Sequence, residues 1–171
     1  MALLLPVRDR FPQFGRDCWL ADNATVTGDV VCGDECSFWF QSVVRGDVNA
    51  IRLGNRVNVQ DGAILHCTYQ RTETHLGNNV SIGHRAVVHG CTVGNNVLIG
   101  MGAIVMDGVV VPDRVLIAAG AVVTEHQHLE SGWIYAGVPA RKLKRLDPER
   151  LRGEVERIAA AYVQYAGWYA S

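Results

Sequence analysis

Three histidines stand out by type and place. His66 closes the stretch NVQDGAILH (58–66), and His84 and His89 fall five residues apart in IGHRAVVHG (82–90). Neutral imidazole is the commonest protein metal ligand and suits zinc, iron and cobalt. Three converging imidazoles would hold a divalent cation with one coordination position open, as in a catalytic rather than a closed structural zinc site. Because neutral ligands leave the cation's charge undiminished, water at such a site can ionise near pH ~7. A lone surface histidine has a plainer reading, as an exposed or hydrogen-bonded side chain. The chemistry therefore depends on whether the chain brings these three together.

The scaffold is written in a repeat. LGNRV begins at Leu53, LGNNV at Leu76, VGNNV at Val93 and VPDRV at Val111, at intervals of 23, 17 and 18 residues. Inside these, apolar residues recur every six: Val93, Ile99, Val105, Val111, Ile117 and Val123, with Leu53, Val59, Leu65 and Leu76, Ile82, Val88 before them. A helix needs 3.6 spacing and a half-buried strand needs alternation. Six matches neither. It matches a coil of three short flat strands, one inward residue per side, with Gly and Asn at corners that need left-handed backbone angles. This is a hexapeptide-repeat parallel β-helix, a triangular prism. The rhythm breaks between Val44 and Leu53, Leu65 and Leu76, and Val88 and Val93. Loops there carry function or are neutral insertions.

The repeat fixes where each candidate sits. Leu53, Leu76, Val93 and Val111 point inward from one side, Val59, Ile82, Ile99 and Ile117 from a second, and Val44, Leu65, Val88, Val105 and Val123 from a third. His66 directly follows Leu65 and His89 directly follows Val88, so they share a column one coil apart, about 4.8 Å. Arg45, after Val44, belongs to that column. His84 lies on the second side, stacked on Asp61, with Gln60 adjacent. Five extended residues separate His84 from His89 by roughly 16 Å, too far to share a metal within one chain. A neighbouring chain of a threefold assembly could offer its own His84. One surface then carries Arg45, His66 and His89, and a second, facing it, carries Gln60, Asp61 and His84.

Composition bounds the rest. The 171 residues suffice for one domain with a sizeable core. Lys plus Arg total 16 against 17 Asp plus Glu, so no basic excess marks a nucleic-acid surface. No stretch approaches the ~20 apolar residues of a membrane span. MALLLPV is too short an apolar run, and lacks the basic start, for a secretory signal. The expectation is a cytoplasmic protein with no nucleic-acid or membrane partner. Cys18, Cys32, Cys36, Cys67 and Cys91 are odd in number and form no CxxC pair, so they read as reduced, mostly buried side chains, with a cysteine zinc site weak on spacing. His126 and His128 read as a solvated loop.

Beyond Val123 the repeat stops, and YAGVPARKLKRL reads as leading away from the prism. Asp147, Pro148 and Glu149 then read as N-cap, first-turn proline and acidic first turn. Leu151, Val155, Ile158 and Tyr162 follow at helical spacing, and the aromatic end YVQYAGWY reads as packing. The expected organisation is a single domain over 1–171: a lead-in over 1–19, the β-helix over 20–125, a connecting segment over 126–146 and a helix over 147–167.

VVRGDV (43–48), NVQDGAILH (58–66) and IGHRAVVHGCTVG (82–94) closely resemble the γ-class carbonic anhydrase family, above all its short bacterial members. The resemblance covers nearly the whole chain, including RDRFPQFG, LESGWIYAGVPARK and the C-terminal helix. It implies an all-β, left-handed parallel β-helix with a C-terminal α-helix. It also implies a homotrimer with a metal at each subunit interface, held by His66 and His89 of one subunit and His84 of its neighbour. Zn2+ is the implied cofactor, with Fe2+ or Co2+ as alternatives. By the same resemblance Arg45 and Asp47 form an interface ion pair, Gln60 orients metal-bound water, and Asp61 is its charged neighbour. The implied activity is that of a zinc-dependent lyase, reversible hydration of CO2 to bicarbonate by a metal-bound hydroxide.

Two departures bear on that activity. The best-studied members carry a glutamate where Val48 stands, and an acidic loop with a proton-shuttling glutamate where this chain has the short CTYQRTETH (67–75). Glu73, His75, Tyr69 or Tyr135 could replace the shuttle, or be surface residues only. A slow proton exit lowers turnover. Two other functions stay open: a CoA-linked acyltransferase or thioesterase of the hexapeptide class, and a non-catalytic metal-binding trimer. Fold alone does not decide among them.

Overall fold

The six-residue rhythm builds three flat faces. The structure, a computed structural model, describes residues 1–169; positions 170 and 171 of the expected domain lie outside the described residues. On the first face Leu53 pairs with Leu76, Leu76 with Val93 and Val93 with Val111. On the second, Val59, Ile82, Ile99 and Ile117 pair in sequence. On the third, Val44, Leu65, Val88, Val105 and Val123 do the same. All these ladders are parallel, and the register is the one the repeat predicts. A ten-stranded sheet wraps the first and third faces, joined through the long strand Val43–Leu53; an eight-stranded sheet forms the second. The inward side chains are almost wholly buried, each worth about 1.5–3 kcal/mol of apolar transfer.

The corners explain the Gly-Asn motif. The side chains of Asn55, Asn78, Asn95 and Asp113 each accept from the backbone N–H of the residue stacked one coil before, at 2.7–2.8 Å. The next residue turns the chain with positive φ, as at Arg56, Asn79, Asn96 and Arg114. Gly77 is required by closeness: a Cβ there would lie 2.8 Å from the backbone of Gly94. The result is a left-handed parallel β-helix with a C-terminal helix.

Pairing extends past the 20–125 stretch at both ends. Leu3–Leu5 pairs with Thr25–Cys32, and Trp19–Leu20 with Ser37–Phe38. Trp133–Ala136 lies parallel on Leu116–Ile117, and Arg141–Arg145 folds back antiparallel upon it. The segment read as leaving the prism therefore continues the second face. At the C-terminal end buried Leu129 and Tyr135 keep the six-residue spacing beyond Val123, so the apolar rhythm runs on where the repeat was read as stopping.

The helical segment follows its predicted cap. The Asp147 side chain accepts from the Arg150 N–H at 2.8 Å, and Pro148 opens the helix. Leu151–Glu156 has π-type turns and Arg157–Gly167 is α-helical. Val155 buries against Leu116, Ile134 and Leu146, and the Tyr162 ring meets Trp39 edge-on at 5.0 Å. The helix thus covers the second face of its own prism. Among the described residues no helix is long and apolar enough to cross a membrane.

Candidate metal centre

Buried Leu65 and Val88 anchor the third face, and the residues after them point outward side by side. Ile64–His66 and Val87–His89 are in register, with His66 opposite His89. The two imidazole centroids are 5.1 Å apart, and His66 Nδ1 lies 3.1 Å from His89 Nε2. The other nitrogen of each ring meets a carboxylate. His66 Nε2 is 3.0 Å from Asp47 Oδ1, and His89 Nδ1 bonds Asp107 Oδ1. A carboxylate only accepts, so in the neutral rings those two nitrogens carry the protons. Two bare lone pairs are left facing each other across the gap. Such a contact is repulsive unless a proton or a cation stands between. Two nitrogens bound at ~2.0–2.1 Å to one tetrahedral ion lie about 3.3 Å apart, so the observed gap fits a shared ion.

The electrostatics favour the neutral form of His66 and the charged form of both carboxylates. Burial holds the His66 imidazole below the ordinary histidine value, against the upward pull of Asp47. Partial burial pushes the Asp47 carboxyl up, but hydrogen bonds from Arg45 and His66 outweigh it and hold it below the usual range. Asp107 is held down likewise, by Thr68 and His89 against burial. Arg45 Nη1 sits 2.5 Å from Asp47 Oδ2, so this pair forms within the chain. Thr68 Oγ1 donates to Asp107 Oδ2 at 2.5 Å.

The corner of the second face holds the other group. His84 Nδ1 is 2.8 Å from Asp61 Oδ2, with both side chains about two-fifths exposed, 43% and 41%. Nε2 is left as the acceptor, 3.5 Å from the Tyr162 hydroxyl. Gln60 is buried, and its Nε2 donates to Asn58 Oδ1 at 3.0 Å; Asn58 in turn donates to Ser81 at 2.8 Å. Gln60, Asp61 and His84 thus gather on one surface, and Arg45, Asp47, His66 and His89 on another. Within one chain His84 does not join the other two. Among the described residues the one trio of His, Cys, Asp or Glu ligand atoms lying mutually within 4.8 Å is Cys18, Cys32 and Cys36, whose spacing along the chain is weak for a zinc site.

Comparison with known proteins gives the family. Residues 73–103 and 90–125 match the bacterial transferase hexapeptide (six repeats) family. A carbonic anhydrase of Geobacillus kaustophilus is 36% identical over 98% of this chain and 91% of its own length. Gamma carbonic anhydrase 2, mitochondrial, of Arabidopsis thaliana is 37% identical over 98% of this chain, which spans 62% of the plant protein. This chain belongs to the γ-class carbonic anhydrase family. A solved hexapeptide transferase family protein from Anaplasma phagocytophilum also superposes with a TM-score of 0.91, at 35% identity and 98% coverage of both chains.

Against that γ-class background the loop after His66 is compact and pinned. Asn49 Nδ2 donates to the carbonyls of Thr68 and Thr72, and Thr74 Oγ1 donates to the carbonyl of His66. Val48, in place of the family's glutamate, packs against the core. Glu73 and His75 form an exposed pair at 2.8 Å. Tyr69 is exposed, with the Arg8 guanidinium 5.1 Å from its ring centroid. Tyr135 is neither a surface residue nor near the histidines: it is buried on the second face, and its hydroxyl accepts from the Glu130 N–H. His126 and His128 are exposed.

Sequence reasoning missed Asp107. It stands at the third corner, one coil beyond His89, and Gly90 makes room for it: a Cβ on Gly90 would overlap the Asp107 carboxylate and Thr72. An acidic residue 18 positions after a candidate ligand, one coil in this repeat, was the available signal.

Proposed function

We propose that this γ-class chain assembles as a homotrimer, holds one divalent cation per subunit interface and catalyses reversible hydration of CO2 to bicarbonate. The observation that carries the reading is the pair of facing lone pairs on His66 Nδ1 and His89 Nε2, 3.1 Å apart, each ring fixed by its own carboxylate. His84 of an adjacent subunit is the third ligand, with Nδ1 fixed by Asp61 and Nε2, beside the Tyr162 hydroxyl, left free to accept. A zinc, iron or cobalt ion among three neutral imidazoles supplies Lewis acidity that makes water nucleophilic near neutral pH.

Support for the trimer comes from apolar side chains flanking both histidine surfaces. Ile64 and Ile104, outward on the third face, are 41% and 37% exposed, and Met101, one coil beyond His84, is 59% exposed. Outward positions of a solvated sheet are normally polar, so apolar ridges there fit a subunit contact. The chain's own groups divide the work. Asp47 and Asp107 hold the third-face imidazoles in one tautomer, and Arg45 fixes Asp47 while offering a cation to bicarbonate. Gln60, with Nε2 taken by Asn58, presents Oε1 to orient a water molecule. Tyr69, Glu73 and His75 are exposed groups close in sequence to His66 that can pass a proton to buffer. Five free thiols fit a reducing cytoplasm.

A second reading has one observation of its own. The His84–Asp61 pair is a general-base dyad opening on a cleft of about 370 Å³ between helix and second face, lined by Leu98, Met101, Tyr162 and Tyr165 among others. CoA-linked acyl transfer would use that cleft. Stopped-flow CO2 hydration with zinc, cobalt and anaerobic iron forms, beside an acyl-CoA hydrolysis screen, separates the readings. Hydration above buffer in a metal-loaded form supports the proposal. Metal without rate in any form leaves a binding trimer, and acyl-CoA turnover favours the second reading.

A further inference from the structure

The three cysteines at the N-terminal end of the prism converge although no sequence motif joins them. Cys32 points inward from the first face opposite Leu53, and Cys36 follows around the corner. Cys18 lies one coil away from Cys36, 18 residues earlier, the spacing of one full turn. The three sulfurs lie mutually within 4.8 Å, with Cys18 Sγ 3.8 Å from Cys32 Sγ. Cys32 and Cys36 are 5% and 1% exposed, while Cys18 is half-buried and opens the cluster to solvent. Three sulfurs bound at ~2.3 Å around one trigonal ion lie about 4.0 Å apart, so the cluster needs only small side-chain adjustments to close on an ion.

The ligand chemistry selects the ion. No imidazole or carboxylate belongs to the trio, and three soft sulfurs without a hard ligand suit a low-coordinate soft cation. Zinc would need a fourth ligand, and a water at the open Cys18 side is what the geometry leaves for it. We propose that Cys18, Cys32 and Cys36 form a second metal site, a three-thiolate site for Cu(I), independent of the histidine centre. Loading moves no electron: the copper enters and stays as Cu(I), each ligating thiol gives its proton to solvent, and three Cu–S bonds form.

Anaerobic titration of the reduced full-length chain with Cu(I), against a chromogenic Cu(I) chelator, tests this. The expected result is one tightly held Cu(I) per chain with ultraviolet thiolate-to-copper absorption. It should persist in the His66→Ala/His89→Ala variant and in Cys67→Ser/Cys91→Ser. Cys18→Ser, at the half-buried position, should lose the ion with an unchanged circular dichroism spectrum, and Cys36→Ser should lose it too. If Cys36→Ser does not fold, Cys18→Ser decides alone. No uptake by the native chain, or uptake unchanged in Cys18→Ser, would overturn the proposal. Uptake that disappears with the histidines would overturn it as well, without touching the hydration reading.

Discussion

His66 and His89 share one face, one register and one gap, whereas His84 sits apart at the next corner. Both regions use the same device, an imidazole fixed by an aspartate. On the third face the device is doubled, partly buried and reinforced: Asp47 is held by Arg45, and Asp107 by Thr68. At the second-face corner it is single and about two-fifths exposed, and among the described residues Asp61 has no such second side-chain donor. Partial burial and a second hydrogen bond make a fixed ring orientation; an exposed pair is screened by solvent and gains little. In the proposed centre the third face is therefore the pre-formed half, and the corner is the half that a docking neighbour would order.

Removing the pre-formed half should do most. His89→Ala leaves His66 alone, and metal content by elemental analysis and CO2 hydration should both fall to background. His84→Ala keeps the pair, so residual weak metal binding is expected, with hydration lost and the trimer shifted towards monomer by light scattering at equal concentration. The supporting aspartates rank next. Asp107→Asn should weaken metal affinity about 10–100-fold by competition with a chelator, and Asp61→Asn by less, because its pair is more exposed. An equal or larger loss in Asp61→Asn would reverse the ranking of the two halves. The smallest effect belongs to the loop. Glu73→Gln with His75→Ala should leave metal content unchanged and lower hydration only in dilute buffer, recovering as buffer concentration rises.

Much of the fold and of the candidate centre is legible in the chain because the repeat is strict up to the residues that precede the histidines. Leu65 and Val88 fall on the six-residue rhythm, so spacing alone places the column that holds His66 and His89. Asp107 is hidden because it stands at a corner, where the apolar rhythm says nothing about side chains. The end strands are hidden for other reasons. Leu3–Leu5 stacks on a single coil outside the six-residue pattern, whereas buried Leu129 and Tyr135 keep that spacing from Val123 while the flanking Gly-Asn corner motif lapses. The cysteines show that spacing must be read in coils rather than in motifs. Cys18 and Cys36 are distant by any zinc-ligand pattern, yet one turn apart in this fold.

The shared centre is tested most directly by mixing subunits. At concentrations high enough to hold trimers, chains carrying His84→Ala and chains carrying His89→Ala should each lack tightly bound metal. In a mixed trimer, one junction joins intact His66 and His89 from the first kind of chain to an intact His84 from the second. Metal analysis of purified mixed trimers should therefore find one ion each. Finding none, with the trimers intact, would contradict a centre built from two subunits.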